Sequence, residues 1–262
     1  MNSAMKTADI ASSHTNARAP RRRRRPARYY LEAYSFLGLL VAAFAFFSMW
    51  PKTADTFLSA ANMQVLIGGN TVIAMVALGS LVPLVCNEWD LSIGANAGLA
   101  SVSVAIALAH GSSLIYAILI GLAVGLAVGA VNALLVTRLG VNAVISTLGI
   151  SIILGGVISV RTHGQGVSGD FPTAFISFGT LNGFGVPRTA FALVAVTAAI
   201  YYLLNHTPFG RYLYALGSNR SAAALVGIRT KRILAWSFVV GGALCGLAGV
   251  LLVARSGGAT HA

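Results

Sequence analysis

Acidic side chains are scarce in this chain: 6 Asp and Glu stand among 262 residues, and charged residues of either sign make up only 9%. Soluble domains carry about a quarter of their residues charged, so a water-facing globule is excluded. The two cysteines, Cys86 and Cys245, both fall inside apolar runs, where a thiol behaves as a small hydrophobe, so no disulfide framework is implied. No Gly-x4-Gly-Lys-Ser/Thr sequence occurs, which excludes ATP hydrolysis by a phosphate loop of the chain's own. His110, His163 and His206 are scattered without carboxylates at ligand spacing, and no metal or other cofactor is expected. A proton-coupled carrier would need acids within its spans; Glu88 and Asp90 sit instead at a span junction. GQGVSG at 164–169 fits G-x-G-x-x-G, but no strand leads into it, no helix opens after it and Pro172 follows, so dinucleotide binding is set aside.

Apolar length is what the chain has in abundance. It is 56% hydrophobic, with a mean hydropathy of +0.79. Windows near 33–50, 64–86, 91–109, 114–136, 143–160, 189–204 and 233–254 contain no Asp, Glu, Lys or Arg. About 20 apolar residues cross the ~30 Å hydrocarbon layer as a helix, and none of these windows alternates as a barrel strand does. The expected class is all-α: a polytopic membrane protein of about seven transmembrane helices.

With the N-terminus inside, the intervening segments that fall on the inner side carry fourteen of the 18 Lys and Arg, and those outside carry only Lys52, Arg161, Arg188 and Arg255. This positive-inside bias places the N-terminus and the 205–232 loop in the cytoplasm. Residues 1–28 form a basic tail with no apolar period, expected to be disordered, and 29–262 form the transmembrane domain. The arginine run at 21–25 reads as an orientation and lipid-surface element, making membrane lipid a partner and nucleic acid none.

Gly121, Gly125 and Gly129 recur every four residues on one helix face, and Gly242 and Gly246 repeat the theme. Bare backbones of this kind serve close helix contact, either static packing within one subunit, which is favoured, or a sliding or subunit interface. Asn70, Asn96 and Asn132 lie within spans, where an amide needs either an interhelical partner or a water-lined path for a hydroxyl-rich solute. Pro83 is expected to kink the second span.

The basic stretch PFGRYLYALGSNRSAAALVGI at 208–228 interrupts the apolar chain. Asn219 suits an N-cap, RSAAALV suits a helix over 220–226, Gly227 suits the left-handed position beyond it, and Ile228 supplies the apolar residue that usually follows. Such a helix is too short to stand alone. Ala222, Ala223 and Ala224 let a partner approach its backbone, with the flanking arginines available for acidic or lipid partners; the plainer reading is a surface helix lying under the membrane.

ALGSNRSAAALVGI resembles the cytoplasmic coupling loop of permease subunits of bacterial ABC-type importers, in the branch that moves monosaccharides such as ribose, xylose and galactose. WDLSIG at 89–94 is similar to the Asp-Leu-Ser-Val-Gly motif of that branch, VISTLGI at 144–150 to its Thr-Leu-Gly segment, and FGTLNGFGVP at 178–187 to its external loop, in the same order and over about residues 60–260. The resemblance implies a type II importer permease fold and a subunit without catalysis of its own. It implies that Gly217, Asn219, Ala222, Ala223, Gly227 and Ile228 contact a separate ATPase, and that Asp90, Leu91, Ser92, Gly94, Thr147, Leu148 and Gly149 carry the family motifs. A periplasmic sugar-binding protein, a permease homodimer and the bacterial inner membrane follow in the same way. Branched-chain amino acids or nucleosides are the alternative cargo, and an inactive fragment is the other reading. The chain departs from the family at Asn87-Glu88-Trp89, where two glycines and an apolar residue are usual, and at Ser221, where an acid often stands. It also stops at RSGGATHA, where family members continue with further helices, and so resembles a permease cut short.

Overall fold

In the computed structural model, which describes residues 27–259, each apolar window is a helix. The elements are α1 Ala27–Met49, α2 Ala54–Phe57, α3 Ala60–Val85, α4 Ile93–Ala109, α5 Leu114–Thr137, α6 Ala143–Thr162, α7 Thr173–Thr180, β1 Asn182–Gly183, β2 Val186–Pro187, α8 Arg188–His206, α9 Pro208–Ser218, α10 Arg220–Leu225 and α11 Thr230–Ser256. Five of them, α3, α5, α6, α8 and α11, are long and apolar enough to cross a membrane; α4 and the 34–49 stretch of α1 are shorter. The expected seven spans therefore separate into five full-length helices and two short ones. The tail expected over 1–28, with its arginine run, lies outside the described residues except for its last two positions, which begin α1.

Side-chain caps mark where the helices start. The Ser59 and Ser113 hydroxyls accept from the Asn62 and Tyr116 N–H groups, Asn142 accepts from Val144 and Ile145, and Thr207 accepts from Gly210. Each cap satisfies a backbone donor that the first helical turn leaves open. Pro83 falls late in the span, in the last turn of α3, and its carbonyl accepts from Cys86 and Glu88 as the helix ends.

The chain divides into two compact units at Leu58/Ser59. In the first, Phe57 of α2 packs against Phe44 and Phe47 of α1 at ring-centroid distances of 5.3 and 5.6 Å, and the Thr53 hydroxyl donates to the Phe47 carbonyl.

The second unit is organised around α11, which packs along α3, α4, α5 and α7. Lipid is as apolar as leucine, so hydrophobicity alone does not hold helices together in a membrane and close packing must. Glycine provides it on three sides of α11. A Cβ on Gly246 would stand 2.6 Å from the Gly121 carbonyl oxygen, one on Gly129 would stand 2.5 Å from that of Phe238, and Gly125 and Gly242 each face the other's carbonyl. On another side Gly241 and Gly79 of α3 meet reciprocally, and Gly249 lies on the Ala97 carbonyl of α4. The two glycine series are thus partners within one subunit, the favoured of the two sequence-based alternatives.

Apolar layers fill the space between these contacts. At one end Phe238 and Leu234 pack with Val82, Leu204, Leu213 and Leu216; Cys245 and Leu251 pack mid-bundle with Val72 and Met75; at the other end Val253 packs with Val104, Leu108 and Phe175. The first end carries the basic connections: Glu88, Arg138, Arg220 and Lys231 line one cleft there. At the opposite end Val167 and Ala259 exchange backbone hydrogen bonds of 2.7 and 2.9 Å, which holds GQGVSG beside the end of α11. There the β1–β2 hairpin turns through Phe184 and Gly185, both at positive φ, and Gln64 of α3 holds it by bonds to Gly185 and Asn182.

The packing separates glycines by their surroundings. Gly125→Ala is expected to cost about 1–3 kcal/mol by forcing α5 and α11 apart. Gly156→Ala, whose added methyl group meets nothing within 4 Å, is expected to be neutral or stabilising by up to about 1 kcal/mol. Thermal unfolding of the purified variants in detergent checks the contrast.

Candidate functional site at the basic end

Between α3 and α4 the chain runs Cys86-Asn87-Glu88-Trp89-Asp90-Leu91-Ser92, with Asn87 at φ 62. Asp90 is 8% exposed and Ser92 fully buried. The Asp90 carboxylate Oδ1 accepts from the Ser92 N–H at 2.9 Å and the Ser92 hydroxyl at 2.6 Å. The Ser92 hydroxyl in turn accepts from Asn132 Nδ2 of α5 at 2.7 Å. One residue earlier, the Leu91 N–H donates to the Thr147 hydroxyl of α6 at 3.0 Å, and that hydroxyl donates to the Ala143 carbonyl at 2.8 Å. Burial pushes the Asp90 carboxyl above its usual range, opposed by the two bonds from Ser92. A buried polar group without such partners costs several kcal/mol, so these bonds fasten the linker to α5 and α6.

The structure thereby joins two motifs that are separate in the sequence. Asp90, Ser92 and Thr147 are interior, whereas Leu91, Gly94, Leu148 and Gly149 are exposed, and a Cβ added at Gly94 or Gly149 would meet no other element within 4 Å. The three asparagines also separate. Asn132 is fully buried in the linker cluster; Asn96 is 2% exposed with Nδ2 3.4 Å from the Gly125 carbonyl. Asn70 is exposed and donates to the Leu66 carbonyl of its own helix.

Above this linker lies the α9–α10 segment. Proline at the first position and the Thr207 cap start α9, and Leu213 and Leu216 bury its apolar face. Gly217 touches the end of α3: a Cβ there would run into the Val85 carbonyl oxygen. The α10 helix forms with both expected ends. Asn219 Oδ1 accepts from the Ala222 N–H at 2.9 Å; Gly227, at φ +85, donates to Ala224 at 3.0 Å, and Ile228 donates to Ala223 at 3.1 Å. That pair of bonds is the Schellman arrangement, and Val226 becomes the C-cap, one residue short of the expected span. Ala223 is buried and Ala222 exposed, while Leu225 and Val226 are 88% and 77% exposed, an apolar tip on a polar end.

One expectation about this helix needs correction. Its flanking arginines are not all free: Arg220 Nη2 lies 2.6 Å from Glu88 Oε1. Glu88 sits where the resembling family usually has glycine, so the departure supplies the acid that holds α10 to the linker. Composition gave a signal for this pairing, because Glu88 and Asp90 are the acids at this junction and Asp90 is held by Ser92. Among the described residues no group of three His, Cys, Asp or Glu converges as metal ligands would. The contacts form a chain: α10 is tied to the linker by Arg220–Glu88 and through α9 by Gly217–Val85, and the linker is tied to α5 and α6 by Asn132 and Thr147.

Residues 62–261 match the family described as branched-chain amino acid transport system / permease component. The chain belongs to this permease family. It is 32% identical over 232 residues to the ribose import permease protein RbsC of Escherichia coli strain K12, covering 87% of this chain and 72% of that one. It is 30% identical over 231 residues to RbsC of Haemophilus influenzae, with 87% and 70% covered. It is 28% identical over 221 residues to the autoinducer 2 import system permease protein LsrC of Enterobacter sp. strain 638, with 84% and 64% covered. No solved structure matches it. The permease is a multi-pass membrane protein, and its linker, α6 start and α9–α10 segment all lie within the matched residues.

The hydrogen bond between the two motifs is open to a direct check. Thr147→Val keeps the shape but leaves the Leu91 N–H without its acceptor, and it is expected to cost about 1–3 kcal/mol in thermal unfolding. Thr180→Val, at an exposed hydroxyl, is expected to stay within about 0.5 kcal/mol.

Proposed function

We propose that this chain is the membrane-spanning subunit of an ATP-driven importer that carries a monosaccharide into the cell, and that it performs no catalysis itself. The observation that carries this reading is the capped α10 helix, seated by Arg220–Glu88 on the linker that holds Asp90 and Ser92. Around it, the family match and the ribose import permeases among the relatives support import of a small hydroxylated solute. A separate ATPase supplies the energy, a periplasmic binding protein delivers the cargo, and a second permease copy completes the pathway. The N-terminus and the α9–α10 segment face the cytoplasm, where the positive-inside bias puts them.

In mechanism, the ATPase takes hold of α10 by its exposed Ala222 face and its Leu225–Val226 tip. Closure of the ATPase displaces α10, and Arg220 and Gly217 pass that displacement to the 86–92 linker. The linker is bonded to α5 through Asn132 and to α6 through Thr147, so these helices receive it and the bundle exchanges between two packed arrangements. Gly227 sets the exit from α10, because only a residue at ease with positive φ closes the helix there.

The test is uptake of labelled D-ribose in cells producing the permease with its ATPase and binding protein, with labelled leucine as the competing cargo. Gly227→Val is expected to reduce uptake at least about tenfold while leaving membrane insertion intact; normal uptake by this variant would sink the coupling role. Glu88→Arg and Arg220→Glu are each expected to impair uptake, and the double exchange to restore most of it. Uptake of leucine and not ribose would move the cargo to amino acids.

A further inference from the structure

A groove of about 600 Å³ opens at the basic end between α9 and the start of α11; Val226 and Gly227 at the exit from α10 border it, and Tyr212, Ile228, Arg229, Arg232, Ile233 and Trp236 form the rest of its lining. We infer that it holds an anionic phospholipid, the headgroup phosphate on Arg229 and Arg232 and an acyl chain along Ile233 and Trp236.

Charge is the first argument. Arg229 and Arg232 are exposed, and neither pairs with a carboxylate among the described residues. The second unit has no acid to spare for them: Glu88 is engaged by Arg220, Asp90 by Ser92, and Asp170 lies in the connection between α6 and α7 at the opposite end. Two guanidinium groups three residues apart at a helix start are neighbours on one face, and their forked donors suit phosphate oxygens.

Gradation is the second. Arg229, Arg232, Ile233 and Trp236 follow i, i+3, i+4, i+7 spacing, so the wall passes from charged to apolar along one stripe. Seven residues of helix rise about 10 Å, comparable to the depth from a headgroup to the upper acyl chain. The 27 residues of α11 span about 40 Å against ~30 Å of hydrocarbon, which sets the first turns at headgroup depth. Trp236 and Tyr212 are 59% and 43% exposed, and amphipathic rings of this kind favour that same level. A docking protein has no need of a wall that grades along the membrane normal; a phospholipid does. This inference rests on membrane placement and is independent of the transported solute.

The experiment compares the full-length permease with Arg229→Gln/Arg232→Gln, Trp236→Ala and the control Arg138→Gln, which alters another exposed arginine at the same end. Native mass spectrometry reads retained lipid after mixing with phosphatidylglycerol or phosphatidylcholine, and thermal unfolding is followed with each lipid and with inorganic phosphate alone. Wild type and the control are expected to retain phosphatidylglycerol selectively and to be stabilised by it, and the double arginine variant to bind it about thirtyfold more weakly. Trp236→Ala is expected to weaken both lipids while preserving the preference for the anionic one. Equal retention of the two lipids by wild type, undiminished retention by the double variant, or equal stabilisation by inorganic phosphate would overturn the proposal. So would loss of lipid retention when the ATPase binds, since the groove would then belong to that protein.

Discussion

Everything in the larger unit depends on how closely backbone can approach backbone around α11. In a membrane there is little to gain from moving leucine out of lipid and into protein, so helices associate where dispersion contacts are dense and no side chain keeps them apart. Glycine meets glycine or a bare carbonyl on the α5 and α3 sides of α11, and Gly249 does the same towards α4. With α11 held from three directions, α3, α4 and α5 take their positions from it. The linkers at either end are then placed by the helices they join.

That geometry makes the polar cluster at the α3–α4 junction possible. Once α5 is drawn against α11, Asn132 is buried, and Ser92 meets it. Ser92 is also bonded to Asp90, so its hydroxyl links a buried acid to the Asn132 amide N–H, while Asn132 Oδ1 is left without a partner among the described residues. Thr147 catches the neighbouring backbone N–H from α6. The linker is thereby bonded to both helices at once.

The α9–α10 segment rests on this linker through contacts of two kinds. One is steric, Gly217 on the end of α3; the other is electrostatic, Arg220 on Glu88. The electrostatic one uses a residue that departs from the pattern of the resembling permeases, so this chain builds its connection from a different part. An exposed ion pair contributes little to stability, and its interest lies in what it positions. Arg229 and Arg232, also at this end, pair with no carboxylate among the described residues and are the two assigned above to a lipid headgroup.

Much of this molecule was legible before any coordinates. The seven apolar windows each became a helix, since a run of uncharged residues in lipid has little choice but to satisfy its backbone internally. The α10 helix was readable to within a residue because Asn219 and Gly227 act on neighbours two to five positions away, a range that sequence spacing encodes directly. Glycine spacing likewise announced close contact. What spacing could not supply was the partner. Which glycines meet, that Leu91 bonds Thr147 across 56 residues, and that Arg220 reaches Glu88 across 132 are all decided by the packing of helices against α11. Local hydrogen bonding and the cost of bare backbone in lipid are properties of a short stretch of chain, so the sequence alone determined the elements and their caps. The identity of each distant neighbour exists only once the helices are side by side, so tertiary structure decided which polar groups are joined and which cations are left for others.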